Sequence, residues 1–420
     1  LAGTGGWREA LSVYADRRVV LILVLGFASG LPLLLVYSTL SAWLSLEHVD
    51  RTAVGLFALV QLPYLYKFLW APLLDHVPPP LPIGQRRGWG ICIQLLLVAS
   101  IVAMGTLSPT RSLFAMAVLA TIVAFLSASQ DVVIDAYRVE LLGQDQQGAG
   151  GAVIQAGYRI AMLVSGAGAL IIADRFGWFA AYATMGVLLS LGIVAFLVAP
   201  EPAHPATPRR VGWLDETVVA PFRDFMDRHG WAAILIFVVG YKLGEAMAGA
   251  MATPLYIDLG FTPKEIGYVS KGFGFAATLI GVFAGGSVVA RMGAVRALLL
   301  CGLLQSAGNL FYILQAAAGH DLRVLALCVA AENLTGGMAG TALIAYLSGL
   351  CRQPFTATQY ALLASLAASG RVLFASSGGA LSKAMGWEGF FLGTTLVTLP
   401  ALILLLWMHR RGAGGRPTLR

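Results

Sequence analysis

Nine ionisable side chains interrupt otherwise apolar stretches of this 420-residue sequence. Five are basic (Lys67, Arg159, Lys242, Lys271 and Arg371) and four acidic (Asp131, Asp135, Glu245 and Glu332). An ionised group facing lipid at mid-bilayer costs about 2.5–3.5 kcal/mol, so nine would cost about 20–30 kcal/mol. A folded domain has only about 5–15 kcal/mol of net stability. These groups must therefore face one another, a water-filled cavity or a ligand, and the chemistry open to them is proton loading and anion binding. Bond-breaking chemistry is not indicated, because His48, His76, His204, His229, His320 and His409 all lie outside the apolar runs or at their ends. That leaves no intramembrane metal cluster and no His-based catalytic pair, so an enzyme is not expected.

Spacing narrows the roles. Asp131 and Asp135 are one helical turn apart and share a face, with Arg138 on the same face. Two neighbouring carboxylates at low dielectric repel each other and compete for a proton, as a proton carrier requires. The same residues would also serve a static charge network with Arg159 or Lys242. Asp131, the deeper of the two, is the first choice as carrier. Lys242 and Glu245, three residues apart, either pair locally or divide the work, Lys242 receiving a substrate carboxylate and Glu245 a proton. Arg159 and Arg371 can grip an anion in bidentate fashion or tie their helices to neighbours. Lys271 lies eight residues beyond Pro263, about 12 Å into its helix, too deep to snorkel easily, and reads as cavity-facing. Lys67 is shallower and suits a gate or packing. Glu332 and Asn333 open a segment in which Gly336, Gly337 and Gly340 either pack helices or leave room for a bulky ligand. Amides and aromatics suited to a sugar include Gln130, Gln155, Tyr158 and Tyr241, with Tyr37, Tyr64, Gln305, Asn309 and Gln359 as further members of that set. Gln130, Tyr158 and Tyr241 rank first because they stand beside charges.

The elements that must position these residues are membrane helices. With 58% hydrophobic and 12% charged residues, the composition fits a polytopic membrane protein and no soluble class. Twelve apolar runs are long enough to cross a hydrocarbon core of about 30 Å. They are 19–43, 53–74, 88–107, 112–137, 150–173, 177–199, 231–256, 263–290, 295–317, 322–349, 356–384 and 387–408, referred to below as spans 1 to 12. Most of the 28 Lys and Arg fall on the side of the chain ends, including Arg17-Arg18, Arg86-Arg87, Arg209-Arg210 and Arg410-Arg411. The positive-inside rule then puts both termini in the cytoplasm. The +7 charge is thus a topology signal, with no nucleic-acid partner expected. Cys92, Cys301, Cys328 and Cys351 are scattered without CxxC spacing and read as small buried residues. No cleavable signal pattern is expected before span 1.

The polar stretch 200–230 divides the spans six and six, and the halves resemble each other. Gly26-Phe27-Ala28-Ser29-Gly30 matches Gly240-Tyr241-Lys242-Leu243-Gly244, each a GxxxG. The segment 50–55 parallels 262–267, where Thr262 and Glu265 form a capping box around Pro263. Gly157-Tyr158-Arg159, Gly168-Ala169-Leu170 and Gly177-Trp178 recur as Ser369-Gly370-Arg371, Gly379-Ala380-Leu381 and Gly386-Trp387. Six spans per half give both copies the same orientation, the parallel repeat of a major facilitator with substrate held near mid-membrane between the halves. The expected fold is an all-α membrane protein of the major facilitator type, twelve helices in two pseudo-symmetric bundles. The segments are an N-terminal stretch 1–18, bundle 19–199, linker 200–230, bundle 231–408 and basic tail 409–420. Asp75, with Arg86 and Arg87 beyond three prolines, suits a latch on the cytoplasmic side, and the arginines would equally serve as positive-inside anchors.

Several strings carry a more specific resemblance. They are Phe68-Leu69-Trp70-Ala71-Pro72-Leu73-Leu74-Asp75, Arg86-Arg87-Gly88-Trp89, Ser129-Gln130-Asp131-Val132-Val133-Ile134-Asp135-Ala136, Tyr241-Lys242-Leu243-Gly244, Glu332-Asn333-Leu334-Thr335-Gly336-Gly337 and Ala357-Thr358-Gln359-Tyr360. Together they resemble the AmpG muropeptide permease family of the major facilitator superfamily. The resemblance implies proton-driven import of N-acetylglucosaminyl-1,6-anhydro-N-acetylmuramic acid and its peptides across the inner membrane during cell-wall recycling. It also implies an indirect contribution to β-lactamase induction. No cofactor beyond the proton gradient is expected, and a monomer is. Some members carry two further C-terminal spans, and this sequence ends after twelve, so substrate breadth is the property that departure touches. Two other readings are a symporter for another large anion such as acetyl-CoA, and a sensor that binds muropeptide without moving it.

Overall fold

The computed structural model describes residues 13–50, 56–202, 219–228, 230–375 and 377–411. Most of the N-terminal stretch, the linker and the basic tail lies outside the described residues, as do repeat positions 51–55, Arg209-Arg210 and the side chains of Lys271 and Arg371.

Nine apolar helices among the described residues are long enough to cross a membrane. One of them, Gln147–Val198, is two spans joined by a reversal at Gly177. Spans 2 and 11 complete the twelve: span 2 is broken into short pieces from Phe57 to His76, and span 11 is Thr356–Ala375 with its continuation past Gly378. Its breaks explain why span 2 does not form one long helix.

The repeat is visible in backbone geometry. Gly177 (φ 85°, ψ 167°) and Gly386 (φ 70°, ψ 171°) reverse the chain between spans 5 and 6 and between spans 11 and 12 in the same conformation. Only glycine adopts it without strain. The GxxxG pairs find different neighbours. Gly26 and Gly30 let span 1 lie on span 5, where an added Cβ would come within 2.8 Å of the Ile154 and Tyr158 Cα atoms. In span 7 it is Gly244 that packs closely, against Thr394 and Thr398 of span 12.

Each half has its own apolar core. The halves meet along spans 5, 8 and 10 on one side and spans 2, 4 and 11 on the other. The described hydrogen bonds between them, donated by Tyr14, Arg138 and Gln155 and accepted by Asp75, lie at mid-depth or toward the face that carries the chain ends. That face also holds the Arg17-Arg18, Arg86-Arg87 and Arg410-Arg411 pairs, and is called the basic face below.

The intramembrane lysines sit where helices are irregular. Lys67 begins the tight turn Lys67–Leu69 in span 2, Lys242 separates Trp231–Tyr241 from Leu243–Asp258 in span 7, and Lys271 falls in the wide turn Tyr268–Phe273 of span 8. Irregular backbone at membrane depth is tolerated where it is buried in protein or lines a polar cavity.

Candidate functional site

A cavity of about 330 Å³ lies between the halves. The first half contributes Ser29, Asp131, Asp135, Gln155 and Tyr158, and the second Lys242, Gly340 and Tyr360. Span 4 is a continuous helix, Leu113–Leu141, and so presents its two carboxylates one turn apart. Lys67 Nζ stands 3.9 Å from Asp131 Oδ2 and 4.0 Å from Asp135 Oδ2. Ser29 Oγ donates to Asp131 Oδ1 at 2.5 Å, and Arg138 Nη2 lies 3.8 Å from Asp135 Oδ1. One lysine thus serves two carboxylates, so their preference for a proton depends on which of them it approaches.

The second half repeats the theme with different residues. Lys242 Nζ donates to Glu245 Oε2, at the first turn of the helix that restarts after the break, and reaches the Gly336 carbonyl at 3.4 Å. Glu332 Oε2 accepts from Asn333 Nδ2 at 3.0 Å, and Asn333 Oδ1 accepts from Thr278 Oγ1 at 2.8 Å. Arg159, on span 5 beside Tyr158, is exposed, and among the described residues no hydrogen bond or ion pair holds it. Its charge reaches Glu332 across the gap between the halves. An uncompensated guanidinium at that depth is a ready receptor for a carboxylate.

Toward the basic face the halves are latched. Asp75 is 2% exposed and receives four hydrogen bonds. One comes from Arg86 Nη2 at 2.7 Å, and three come from the start of span 11: Ala357 N, Thr358 N and Thr358 Oγ1, at 3.1, 2.9 and 2.7 Å. A carboxylate at a helix N-terminus satisfies amides that have no partner within the helix. Arg86 also pairs with both oxygens of Glu140, at 2.6 and 3.0 Å.

The family model of the Major Facilitator Superfamily matches residues 22–248 and again 241–419, one match per half. An anhydromuropeptide permease of Escherichia coli K12 is 44% identical over 400 residues, covering 95% of this chain and 81% of its own length. The chain belongs to the Major Facilitator Superfamily, and within it to the AmpG family. A putative AmpG transporter of Rickettsia felis is 34% identical over 95% of this chain and 98% of its own length. Among solved structures, the Escherichia coli fucose:proton symporter FucP superposes with a TM-score of 0.71 at 12% identity, over 93% of this chain and 98% of that one, a likeness of fold.

In this facilitator the cavity gathers Asp131, Asp135, Gln155, Tyr158 and Lys242, with Glu245 bonded to Lys242. Gln155 Nε2 donates across to Thr341 Oγ1 at 2.8 Å. Other residues singled out in the sequence lie elsewhere. Tyr241 is buried within the second half, its hydroxyl donating to the Leu298 carbonyl at 3.1 Å and its ring packed near Gly302. Gln130 is fully buried and donates to the Ala28 carbonyl at 2.8 Å, tying span 4 to span 1. Arg87 donates to the Phe196 and Leu197 carbonyls at the end of span 6 and stands apart from the latch. Gln359 bonds Asp224 of the linker helix Ala220–Met226 and Arg228 just beyond it, next to the latch at Thr358. The span 4 carboxylates pair with Lys67 and with Arg138, which the spacing put on their face; the alternative static network with Lys242 or Arg159 has no ion pair among the described residues. Ser29 and Glu140 carried no functional signal of their own, being an isolated hydroxyl and a helix-end acid, and Thr358 and Tyr360 stood out only within a family-like string.

Proposed function

We propose that the protein imports anhydromuropeptides, N-acetylglucosaminyl-1,6-anhydro-N-acetylmuramic acid and its peptides, together with protons. The observation that carries the substrate is the 44% identity, over 95% of the chain, to an anhydromuropeptide permease. The inter-half cavity supports it: Asp131, Asp135 and Lys242 line it, their partners Lys67 and Glu245 complete two acid–lysine clusters, and the unpaired Arg159 follows the lining residue Tyr158 on span 5, a set suited to an anionic cargo moved by protons. At about 330 Å³ the cavity is at the small end of ligand pockets, which run about 300–1,000 Å³. A disaccharide would fill it and leave the peptide stem to extend beyond.

Asp131 is the primary coupling group, with Asp135, Glu245 and Glu332 as the other proton sites. Protonation of the span 4 pair releases Lys67 from its shared ion pairs, while Arg159 takes the stem carboxylate. Lys242, Gln155, Tyr158 and Asn333 complete the binding set, and Arg371 and Lys271 belong to it by the sequence argument alone. The basic face is cytoplasmic by the positive-inside rule, so the latched form is closed to the cytoplasm and the protein works as a monomer in the inner membrane. Returning this cargo to the cytosol would feed peptidoglycan recycling and, through it, the signal for β-lactamase induction.

Uptake of radiolabelled anhydromuropeptide into proteoliposomes under an imposed pH gradient tests the reading. Accumulation that collapses with an uncoupler and resists competition by acetyl-CoA is expected. Stronger competition by acetyl-CoA, or binding without counterflow, would reassign the cargo or the activity.

A further inference from the structure

Below the central cavity lies a second one of about 510 Å³, open toward the basic face between the ends of spans 4 and 5, 8 and 9, and 10 and 11. Arg138 stands between the two. Asp135 and Tyr360, on one side of its guanidinium, line the central cavity, whereas Gln147 and Ser348, on the other, line the lower one. Its Cζ sits 5.2 Å from the Tyr360 ring centre. Nη1 donates to Gln147 Oε1 at 3.2 Å and, across the interface, to Ser348 Oγ at 2.9 Å. Arg138 is fully buried, and Nε and Nη2 have no hydrogen-bond partner.

Among the described residues, the carboxylate within ion-pair distance of this guanidinium is Asp135, at 3.8 Å. The groups facing it from the packed helices are otherwise neutral or engaged. Lys67 of span 2 lies 4.0 Å from Asp135, Asp131 is one turn further along span 4, and Cys351 lies beside it after span 10. Asp75 and Glu140 are taken by Arg86. Arginine cannot discharge itself by losing a proton. Its burial is therefore tolerated only while Asp135 carries the opposite charge.

We propose that Arg138 is a charge-held plug between the two cavities, kept closed by ionised Asp135 above and Ser348 of the opposite half below. Neutralising Asp135 leaves the guanidinium buried without a counter-charge; it leaves for water, its bond to Ser348 breaks, and the cavities join into one route to the basic face. Arg138 acts through Asp135 and is a positioning residue. The inference rests on the proton-coupled import proposed above, which requires the latched basic face to open, and adds the device that ties the span 4 charge to the gate.

The test needs no substrate. Spin labels on cysteines at Ile83 and Arg296, one in each half at the basic face, in protein whose native cysteines are replaced by alanine, report the separation of the halves in nanodiscs. Asp135→Asn should give the wide distance at pH 8, where the unmutated Asp135 gives the narrow one. Adding Arg138→Gln to Asp135→Asn should restore the narrow distance, since no buried charge is left to expel. A purely structural arginine would leave the double variant at least as open as the single one, and that result overturns the proposal. A narrow distance in Asp135→Asn protein that elutes monodisperse overturns it as well. Failure of anhydromuropeptide uptake would remove the cargo and leave these distances unaffected, so the two claims fall separately.

Discussion

In the proposed function, anion recognition turns on Arg159. It is exposed, carries no partner among the described residues and stands across the gap from Glu332. A hydrogen bond to a charged group contributes about 1.5–3 kcal/mol, about 10- to 150-fold in affinity. Arg159→Ala should therefore raise KM for an anhydromuropeptide by about 10-fold or more, with a smaller effect on the maximal rate. Initial-rate uptake over a range of concentrations measures this, and an unchanged KM would return Arg159 to a packing role. The sequence made the charged residues legible because charge within an apolar run is conspicuous. It did not make their partners legible. Lys67 meets Asp131 and Asp135 because span 2 packs on span 4, and no spacing within one helix encodes that contact. Tyr241 misled for the same reason: adjacency to Lys242 along the chain puts the two on different faces of a broken helix.

At the scale of elements, repeats and turns were readable and helix breaks were not. Gly177-Trp178 and Gly386-Trp387 marked equivalent reversals, and both glycines adopt nearly one positive-φ conformation. No other group lies within 4 Å of a Cβ added at either, so alanine there incurs backbone strain alone, about 1–3 kcal/mol. Gly177→Ala and Gly386→Ala should lower the thermal unfolding temperature by similar amounts, as followed by light scattering of the detergent-solubilised protein. A large loss at one position with none at the other would contradict their equivalence. The breaks at Lys67 and Lys242 escaped the sequence reading because apolar periodicity continues through them. Without a proline at Lys242, only the tertiary demand of Glu245 and the Gly336 carbonyl on that lysine marks the site.

For the whole molecule, the twelve spans and two halves follow from hydropathy and self-similarity, whereas the state in which the halves meet does not. Two packings of the same bundles can differ by only a few kcal/mol, and single contacts decide between them. Asp75 is one such contact, joining Arg86 to the start of span 11. Asp75→Asn loses the charge that Arg86 and those amides share, so the basic face should open more often. Cys351, lining the lower cavity, should then be alkylated severalfold faster, as read by mass spectrometry; an unchanged rate would separate Asp75 from gating. The central claim is that a carboxylate in the shared cavity couples protons to cargo. Proteoliposomes carrying Asp131→Asn, compared with the unsubstituted protein for uptake under a pH gradient and for exchange at equal pH, test it most directly. The account predicts that gradient-driven accumulation disappears while exchange continues. Accumulation that persists in Asp131→Asn would contradict it.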